Sequence, residues 1–559
     1  MTLKNGSWGA VWVGLLCVAW LQPNHFPPWV SFHSELLTFV AIAILFVICV
    51  ARRTHAELIQ VPKTAIPVLL LLGMTLVQVC IGITDYFGDA VIFVIYMLAM
   101  VFALVAGRYG TGDGRIELLA WGILVAGMGS VLIAFLQSFH FAETFPFVNP
   151  MPSWRRPGAN LAQPNHLGTL LLWAIASAIY LHISKKIGGL LACVLGGVLL
   201  VGVAMTESRT ALLGVFALAV WAGLGHAEGL NLRRVLFSVV AAGVGGLLFA
   251  LWPHFLSEFQ EAGLSVGSAS VNTQAGERYI VWPQLMSAVM ERPWLGWGPR
   301  GVSVAHNAVL DRYAESAPFT YAHNIVLDVA IGFGLPLTLL LVVLVGVWCA
   351  RRLRHVRGAS DWYAFALLIP FGLHSMLEFP FAYAYFLLPA CFAIGMLDAG
   401  RANCVAIQVS RGVTIALGVA WILVGAVSVR DYLLAEEDFR IARFEALRMG
   451  KTAENYERPR LLVLTQLEAM NNATRVVPTP GMSIDAIESL RTAALHYPWT
   501  AIQNRYAQAL ALNGNIPEAQ RQLKVIRAMH GEKVYAAVLL QWQTKAEDKY
   551  PQLREFTNR

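Results

Sequence analysis

The chain has 559 residues, of which 57% are hydrophobic and 13% are charged, and its mean hydropathy is +0.58. These proportions exclude an ordinary soluble globular protein and predict a polytopic membrane protein of the all-α class. The net charge of +7 is expected to reflect orientation in the bilayer, and we do not interpret it as a surface for nucleic acid.

Apolar runs long enough to cross a bilayer, which takes about 17–25 residues, occur about thirteen times along the chain. The first run is short and follows Lys4 as in a signal peptide, but no small-x-small cleavage site follows it, so we expect a retained anchor. The predicted spans cover residues 8–22, 35–51, 64–84, 89–107, 116–139, 167–184, 187–205, 210–226, 234–252, 322–349, 360–378, 381–398 and 411–429.

Lysine and arginine concentrate in alternate connections between these spans, for example at Lys185-Lys186 and Arg351-Arg352. Short loops rich in these residues stay in the cytoplasm. The intervening loops, around residues 140–166, 206–209 and 253–321, are therefore predicted to face the periplasm. An odd number of spans would place the C-terminal tail on the periplasmic side as well.

The longest outer loop, residues 253–321, carries a helical pattern from Ala275 to Met290. This pattern predicts an amphipathic helix that lies on the membrane surface and ends at Pro293-Trp-Leu-Gly-Trp-Gly-Pro299. Such a loop could form a lid or one wall of a pocket. The side chains expected on one side of the helix are Tyr279, Trp282, Leu285, Met286 and Val289.

The composition becomes polar after residue 429, which predicts two domains: a membrane domain over 1–429 and a periplasmic helical domain over 430–559. Helical patterns cover 487–495, 501–512 and, after an Asn-Gly-Asn turn, 517–529. Their spacing is similar to one tetratricopeptide-type hairpin. One such repeat cannot bury its own apolar face, so it is either a docking module or packed on the membrane domain.

Ionisable side chains cluster at the predicted outer edge of the spans and are almost absent at mid-membrane depth. A transporter or proton pump would place them near the midplane, so this distribution favours a site at the outer interface. The clustered residues are Arg155, Arg156, His166, Glu207, Arg209, Arg278, His323, Asp328, His374 and Glu378.

Arginine holds phosphate groups through paired hydrogen bonds, and histidine can take a proton from an attacking hydroxyl. The cluster therefore fits glycosyl transfer from a lipid diphosphate, and it fits lipid phosphatase chemistry equally. His374 and Glu378 are four residues apart, which places both on one helical face and allows a hydrogen bond that would fix the imidazole tautomer. No metal-binding or nucleotide-binding motif occurs, so we expect no metal and no cofactor.

Several motifs resemble, in order, those of the O-antigen ligase and polymerase superfamily. Gly158-Ala-Asn-Leu-Ala-Gln-Pro-Asn-His-Leu-Gly168 is similar to the signature of pilin glycosylation ligases, the bacterial protein O-oligosaccharyltransferases. The segments 206–214, 277–298 and 322–336 resemble the core that ligases and polymerases share. Residues 374–386 resemble the C-terminal segment of the branch that modifies proteins.

The resemblance implies a GT-C-like helical fold and a metal-independent, inverting transfer. It makes His323 the general base or essential acceptor-site residue and puts Arg209 and Arg278 on the diphosphate. The other candidate substrate-binding residues are Gln163, Asn165, His166, Arg155, Arg156, Glu207, Asn324, His374, Glu378, and Tyr383 or Tyr385.

Structural alternatives remain open for some of these residues. Gln163, Asn165 and His166 could form a turn that satisfies backbone groups, and Arg155 with Arg156 could anchor the chain to lipid headgroups.

The resemblance implies en bloc transfer of an oligosaccharide from undecaprenyl diphosphate to serine or threonine of a periplasmic protein such as a pilin, in the bacterial inner membrane. The alternatives are an O-antigen ligase that uses lipid A-core, an O-antigen polymerase and, from another class, a lipid-linked glycan transporter. The segments 163–166 and 378–380 favour a protein acceptor.

Overall fold

The computed structural model describes residues 6–51, 58–110, 114–151, 156–225, 231–261 and 274–557. This part of the chain is mainly helical, as the composition predicts. Its helices are α1 (Gly6–Leu21), α2 (Phe32–Ala51), α3 (Ile66–Cys80), α4 (Phe87–Tyr109), α5 (Arg115–Ser138), α6 (Pro164–Ile183), α7 (Gly189–Met205), α8 (Arg209–Leu224), α9 (Leu232–Glu261), α10 (Gln274–Glu291), α11 (Val302–Val309), α12 (Ile325–Phe333), α13 (Leu335–Leu353), α14 (Ala359–Ser375), α15 (Ala384–Leu397), α16 (Arg411–Ala446), α17 (Thr465–Arg475), α18 (Ile484–His496), α19 (Thr500–Leu512), α20 (Ile516–Asp548) and α21 (Arg554–Thr557).

Eight helices in the described ranges are long and apolar enough to cross a membrane, and four shorter apolar helices accompany them. The chain is thus an all-α, multi-pass membrane protein, and the count of thirteen spans stays a prediction. Strands β1 (Ile59–Pro62) and β2 (Val405–Val409) form one small antiparallel ladder, in which Ile59 pairs with Val409.

Several predicted spans end differently from the sequence-based bounds. Helix α9 continues to Glu261, into the predicted outer loop 253–321. The predicted span 322–349 is two helices, α12 and α13, because Gly334 adopts a left-handed φ of 81° and ends the first of them. Helix α16 continues to Ala446, well past residue 429. Its sequence keeps helix-forming residues where the composition turns polar, so the change of composition does not end the helix.

The first of two compact units comprises residues 1–70, 96–272 and 343–422. Helix α6 packs there against α5, α7, α8 and α14. Because neighbours cover it on several sides, its apolar residues are spread round the helix and not confined to one stripe. Trp173 of α6 donates from its indole to the carbonyl of Leu367 (2.7 Å), and Ser177 lies 2.7 Å from the Tyr363 hydroxyl, which fixes α6 on α14.

The second unit comprises residues 71–95, 273–342 and 423–559. Helices α10, α11 and α12 enclose an apolar cluster that includes Val281, Leu285 and Ile331. The predicted helix over 275–290 is present as α10, but its buried side was partly misassigned. Tyr279 is 83% exposed and Met286 is 49% exposed, because Val281 and Ala288 take the buried positions.

The C-terminal helices of this second unit pack on the segment that follows α10. Leu310 lies in one apolar cluster with Val525, Ala528 and Met529 of α20. Arg521 donates to the backbone carbonyl of Asn307 (2.6 Å). Helix α20 itself is broken at Gly531, where φ is 81°, so the predicted third helix of the tail is followed by a further one.

Candidate active site

The first turn of α6 carries the glycosylation-ligase motif. Pro164 occupies the first helical position, where a missing N–H costs nothing. The Gln163 side chain accepts a hydrogen bond from the backbone N–H of His166 (2.7 Å) and so caps the helix. This contact gives Gln163 the turn-forming role that the sequence left open, and it points α6 so that Asn165 and His166 are buried.

Three helix ends meet through a chain of buried polar side chains. The Ser208 hydroxyl, which also caps α8, donates to Asn165 Oδ1 (2.6 Å). The Asn165 amide then donates to Glu378 Oε1 (3.1 Å). Glu378 is 2% exposed, and a buried carboxylate needs such donors. The arrangement brings together three of the motifs recognised in the sequence.

His374 and Glu378 do not both lie on α14, although the Glu378 N–H donates to the His374 carbonyl (2.8 Å). A hydrogen bond between their side chains stays a prediction. Helix α14 ends at Ser375, so Glu378 lies beyond it, two residues before Pro380. The His374 ring instead approaches α6, where its Nδ1 is 2.7 Å from the Thr169 hydroxyl. Since the Nδ1 contact involves a hydroxyl, either atom can be the donor, and the ring orientation is fixed in both cases.

Aromatic rings surround the side chain of His166. Its ring centroid is 4.5 Å from that of Tyr383, 6.3 Å from Tyr385 and 5.6 Å from His374. Tyr385 is 2% exposed, whereas Tyr383 is only partly buried. Both candidate tyrosines therefore contact the same histidine, and Tyr383 is the one that retains access to solvent.

A cationic edge adjoins this buried cluster. Arg156 donates to the backbone carbonyl of Glu207 (2.7 Å). Burial lowers the pKa of Arg156, and the charges of Glu207 and Glu378 oppose that shift. Burial likewise raises the pKa of Glu207, against the pull of Arg156. Arg209, the first residue of α8, is exposed. Arg155, which was predicted as a substrate-binding residue together with Arg156, lies outside the described residues.

The second unit holds the other predicted catalytic residues. His323 has a left-handed φ of 55°, and its ring lies 4.6 Å from that of Phe319. Asp328 holds the preceding residue by accepting from the Ala322 N–H (2.8 Å). Asn324 caps α12, because its side-chain oxygen Oδ1 accepts hydrogen bonds from the N–H groups of Val326 and Leu327. That oxygen therefore serves to begin the helix.

Helix α10, which carries Arg278, contacts the loop that carries His323. Trp282 of α10 donates from its indole to the Ala322 carbonyl (2.8 Å), directly beside His323. Arg278 lies one turn earlier on α10 and therefore on the same side of it. The structure thus places the face of α10 that carries Arg278 against the residues before α12.

The glycine-rich motifs of this unit hold each other by backbone hydrogen bonds. The N–H groups of Trp297 and Gly298 donate to the carbonyls of Ile331 (2.8 Å) and Gly332 (3.0 Å). Gln78 of α3 donates to the carbonyls of Leu295 (2.6 Å) and Gly332 (2.7 Å). These contacts fix the end of α10 against the end of α12.

Sequence reasoning missed the residues that connect the motifs. Thr169, Ser208, Trp282 and Gln78 are uncharged, and their partners lie far away along the chain. The only sequence signal for a role of Thr169 and Ser208 is their position, since Thr169 directly follows the motif 158–168 and Ser208 lies in the motif 206–214. No group of three His, Cys, Asp or Glu side chains in the described ranges is arranged to hold a metal ion.

Comparisons with known proteins agree with the motif order. Residues 157–182 match a family model described as protein glycosylation ligase, residues 191–342 match one described as O-Antigen ligase, and residues 362–545 match one described as virulence factor membrane-bound polymerase, C-terminal.

Two curated relatives come from Acinetobacter baylyi. The chain is 27% identical to its General O-oligosaccharyltransferase over 527 residues, which is 92% of this chain and 91% of the relative. It is 26% identical to the ComP-specific O-oligosaccharyltransferase over 385 residues, 68% of this chain and 69% of that relative. With the buried motif cluster, these likenesses support the relationship to bacterial protein O-oligosaccharyltransferases that the sequence motifs predict.

Proposed function

We propose that this enzyme transfers a preassembled oligosaccharide en bloc from undecaprenyl diphosphate to a serine or threonine of a periplasmic protein such as a pilin. The observation that carries the proposal is the likeness along 92% of the chain to a General O-oligosaccharyltransferase. The donor is a lipid-linked oligosaccharide and the acceptor is a protein. We place the enzyme in the bacterial inner membrane, with its site on the periplasmic face.

In the proposed reaction, the acceptor hydroxyl oxygen attacks the anomeric carbon of the first sugar. The bond between that carbon and the phosphate oxygen breaks, and its electron pair stays on the departing diphosphate. The hydroxyl proton passes to the His323 ring. Asp328 and Phe319 support this role by fixing the loop on which His323 lies.

Arg209 and Arg278 are proposed to stabilise the charge that develops on the diphosphate. The exposure of Arg209 supports this role, and so does its position at the N-terminus of the 16-residue helix α8, where backbone N–H groups add partial positive charge. Arg156, Asn165, His166 and Glu378 are proposed to shape the outer pocket. Because arginines supply the charge stabilisation, we expect EDTA to leave the transfer rate unchanged.

The test uses a Gram-negative host that makes a lipid-linked glycan, lacks its own ligase and co-expresses a candidate pilin. Mass spectrometry of pilin peptides should find the glycan on serine or threonine with the wild-type chain and none with His323→Ala. His254→Ala is the matched control, since His254 is exposed on α9. Unchanged glycosylation by a well-expressed His323→Ala protein would remove His323 from the mechanism.

The alternative acceptor, lipid A-core, is tested in the same cells. The match of residues 191–342 to the O-Antigen ligase family model is the observation that keeps it in view. Glycan on lipopolysaccharide and none on the pilin would replace the protein acceptor by lipid A-core. Longer glycan chains would indicate polymerase activity. Product formation by purified enzyme in detergent, with no second membrane side, would exclude a transporter.

A further inference from the structure

A cavity of about 650 Å³ lies in the C-terminal helical region, lined only by residues between 476 and 545. One wall is α19, which contributes Asn504 and Gln508 at a spacing of four. The facing wall is the part of α20 after Gly531, with Val538 and Lys545 among its residues. Residues 476–478 close the third side. Spacings of three and four put these side chains on single faces of the two helices.

The polar groups available in this cavity are mainly donors. Arg505 uses its Nε and Nη1 groups on the carbonyls of Val476 (3.1 Å) and Ala501 (3.0 Å) and keeps its other amino group. Lys545 spends one of three N–H donors on Gln508 Oε1 (2.7 Å). None of the lining residues, all within the described part of the chain, is a carboxylate.

Two further features indicate a missing acceptor. Gln508 is 1% exposed, and its Nε2 finds no hydrogen-bond partner among the described residues. Burial lowers the pKa of Lys545, and the nearby charge of Arg505 lowers it further. A bound anion would satisfy the Gln508 amide and relieve the repulsion between the two cations.

The rest of the lining selects among anions. Val477, Val534, Ala537 and Val538 give the cavity an apolar wall. A free phosphate would leave this wall unused, and a saccharide would press unpaired hydroxyls against it. A polypeptide supplies both parts, a carboxylate and the apolar side chain of the next residue.

We propose that this cavity is a binding site for a polypeptide carboxylate, which Arg505, Lys545 and the Gln508 amide hold while a neighbouring apolar side chain packs on the valines. The carboxylate comes either from a chain terminus or from an Asp or Glu side chain. The site is separate from glycosyl transfer and does not depend on the function proposed above.

The test measures fluorescence anisotropy of labelled octapeptides with the full-length enzyme in detergent. One peptide ends in Val-Val with a free carboxylate, one is its C-terminal amide, and one is an amide with an internal Glu beside Val. We expect the first or third to bind and the second to bind at least ~10-fold more weakly. The first binding alone identifies a terminal carboxylate, and the third binding identifies a side-chain carboxylate.

Lys545→Gln should weaken the binding about 10-fold, and so should Arg505→Gln, whereas added salt should weaken it for the wild-type chain. Lys524→Gln is the matched control, because Lys524 is exposed on the same helix outside the cavity. Thermal midpoints confirm that each variant is folded. The proposal would be overturned if the amide peptide bound equally well, if Lys524→Gln lost binding equally, or if no peptide bound at about 1 mM. Displacement by glucuronate or phosphate at a lower concentration than by peptide would also overturn it.

Discussion

At the scale of single residues, uncharged hydrogen-bonding groups position the candidate catalytic ones. Thr169 approaches the His374 ring, and Ser208 orients the Asn165 amide toward Glu378. All five side chains are less than 9% exposed. In such a setting, losing one partner leaves the other group buried and unsatisfied, which costs ~1–3 kcal/mol.

Thr169→Val keeps the volume of the side chain and removes its hydroxyl, so the His374 ring loses a 2.7 Å contact. We expect a lower thermal midpoint in detergent, corresponding to a loss of ~1–3 kcal/mol, and a lower rate of pilin glycosylation. Thr169→Ser restores the hydroxyl and should keep both near the wild-type values. Equal behaviour of the two variants would show that the contact has no role.

His306 gives a pH-dependent prediction in the second unit. Burial lowers its pKa from 6.5 to about 4, and its Nε2 lies 2.9 Å from Gln284 Oε1. Between pH 6.5 and pH 4 the unfolded chain binds a proton at His306 more readily than the folded chain does. The contribution of His306 to the free energy of unfolding is therefore complete above pH 6.5 and falls as the pH drops toward 4, by on the order of 3 kcal/mol at most.

The measurement compares thermal midpoints of the wild-type chain and His306→Gln from pH 7.5 to pH 4.5. The wild-type midpoint should fall more steeply, since the variant has no ring to protonate. Parallel curves would contradict the assignment, whatever the absolute stability of the variant.

At the scale of elements, close backbone approach explains the glycine-rich motifs. Gly334 ends α12 with a φ of 81°, and a Cβ built there would be 2.4 Å from the Trp294 carbonyl oxygen. Gly296, with a φ of 70°, would likewise meet the Gly332 backbone at 2.5 Å. The motifs at 293–298 and 332–336 therefore need glycine to join α10 to α12.

Gly334→Ala should destabilise the protein by at least ~2 kcal/mol, because it combines a strained φ with a backbone clash. We expect less monodisperse protein in size-exclusion chromatography and a proportionate loss of glycosylation. Gly276→Ala on α10 is the control, since a Cβ there meets nothing within 4 Å and alanine favours the helix. A wild-type elution profile for Gly334→Ala would refute the explanation.

The apolar runs predicted the membrane helices well, because the bilayer imposes length and composition on each of them. Where a helix ends inside an apolar run the pattern carries less information, and the break at Gly334 went unnoticed for that reason. Helix α17 was not delimited from the sequence, although its buried residues Leu467, Met470 and Ala473 recur at helical spacing. The spacing of His374 and Glu378 assumed one continuous helix, but α14 ends at Ser375.

At the scale of the whole molecule, the sequence could assign sides of the membrane only through Lys and Arg. It also named most members of the buried cluster, because the resemblance covers them. It could not show that Asn165 meets Ser208 and Glu378, since these contacts cross 43 and 213 residues of chain. Tertiary packing alone creates them.

Reporter fusions test the orientation. Alkaline phosphatase needs disulfides and folds only outside the cytoplasm. Fused after Arg559 it should be active, whereas a fusion between Lys185 and Lys186 should be inactive. Green fluorescent protein should give the opposite pattern at both sites. Active phosphatase in the 185–186 fusion would reverse the proposed topology and place the candidate site in the cytoplasm.

Gln163, Ser208 and Asn324 each begin a helix by capping it with a side-chain oxygen. In a saturation mutagenesis screen scored by glycosylation alone, these three positions would behave like catalytic residues, since a lost cap costs ~1 kcal/mol and displaces the helix start. Aspartate, serine, threonine and asparagine can replace one another as caps. A position that tolerates these residues therefore has a role in starting a helix, whereas a catalytic position would not tolerate them. The same criterion can be applied to natural sequence variants.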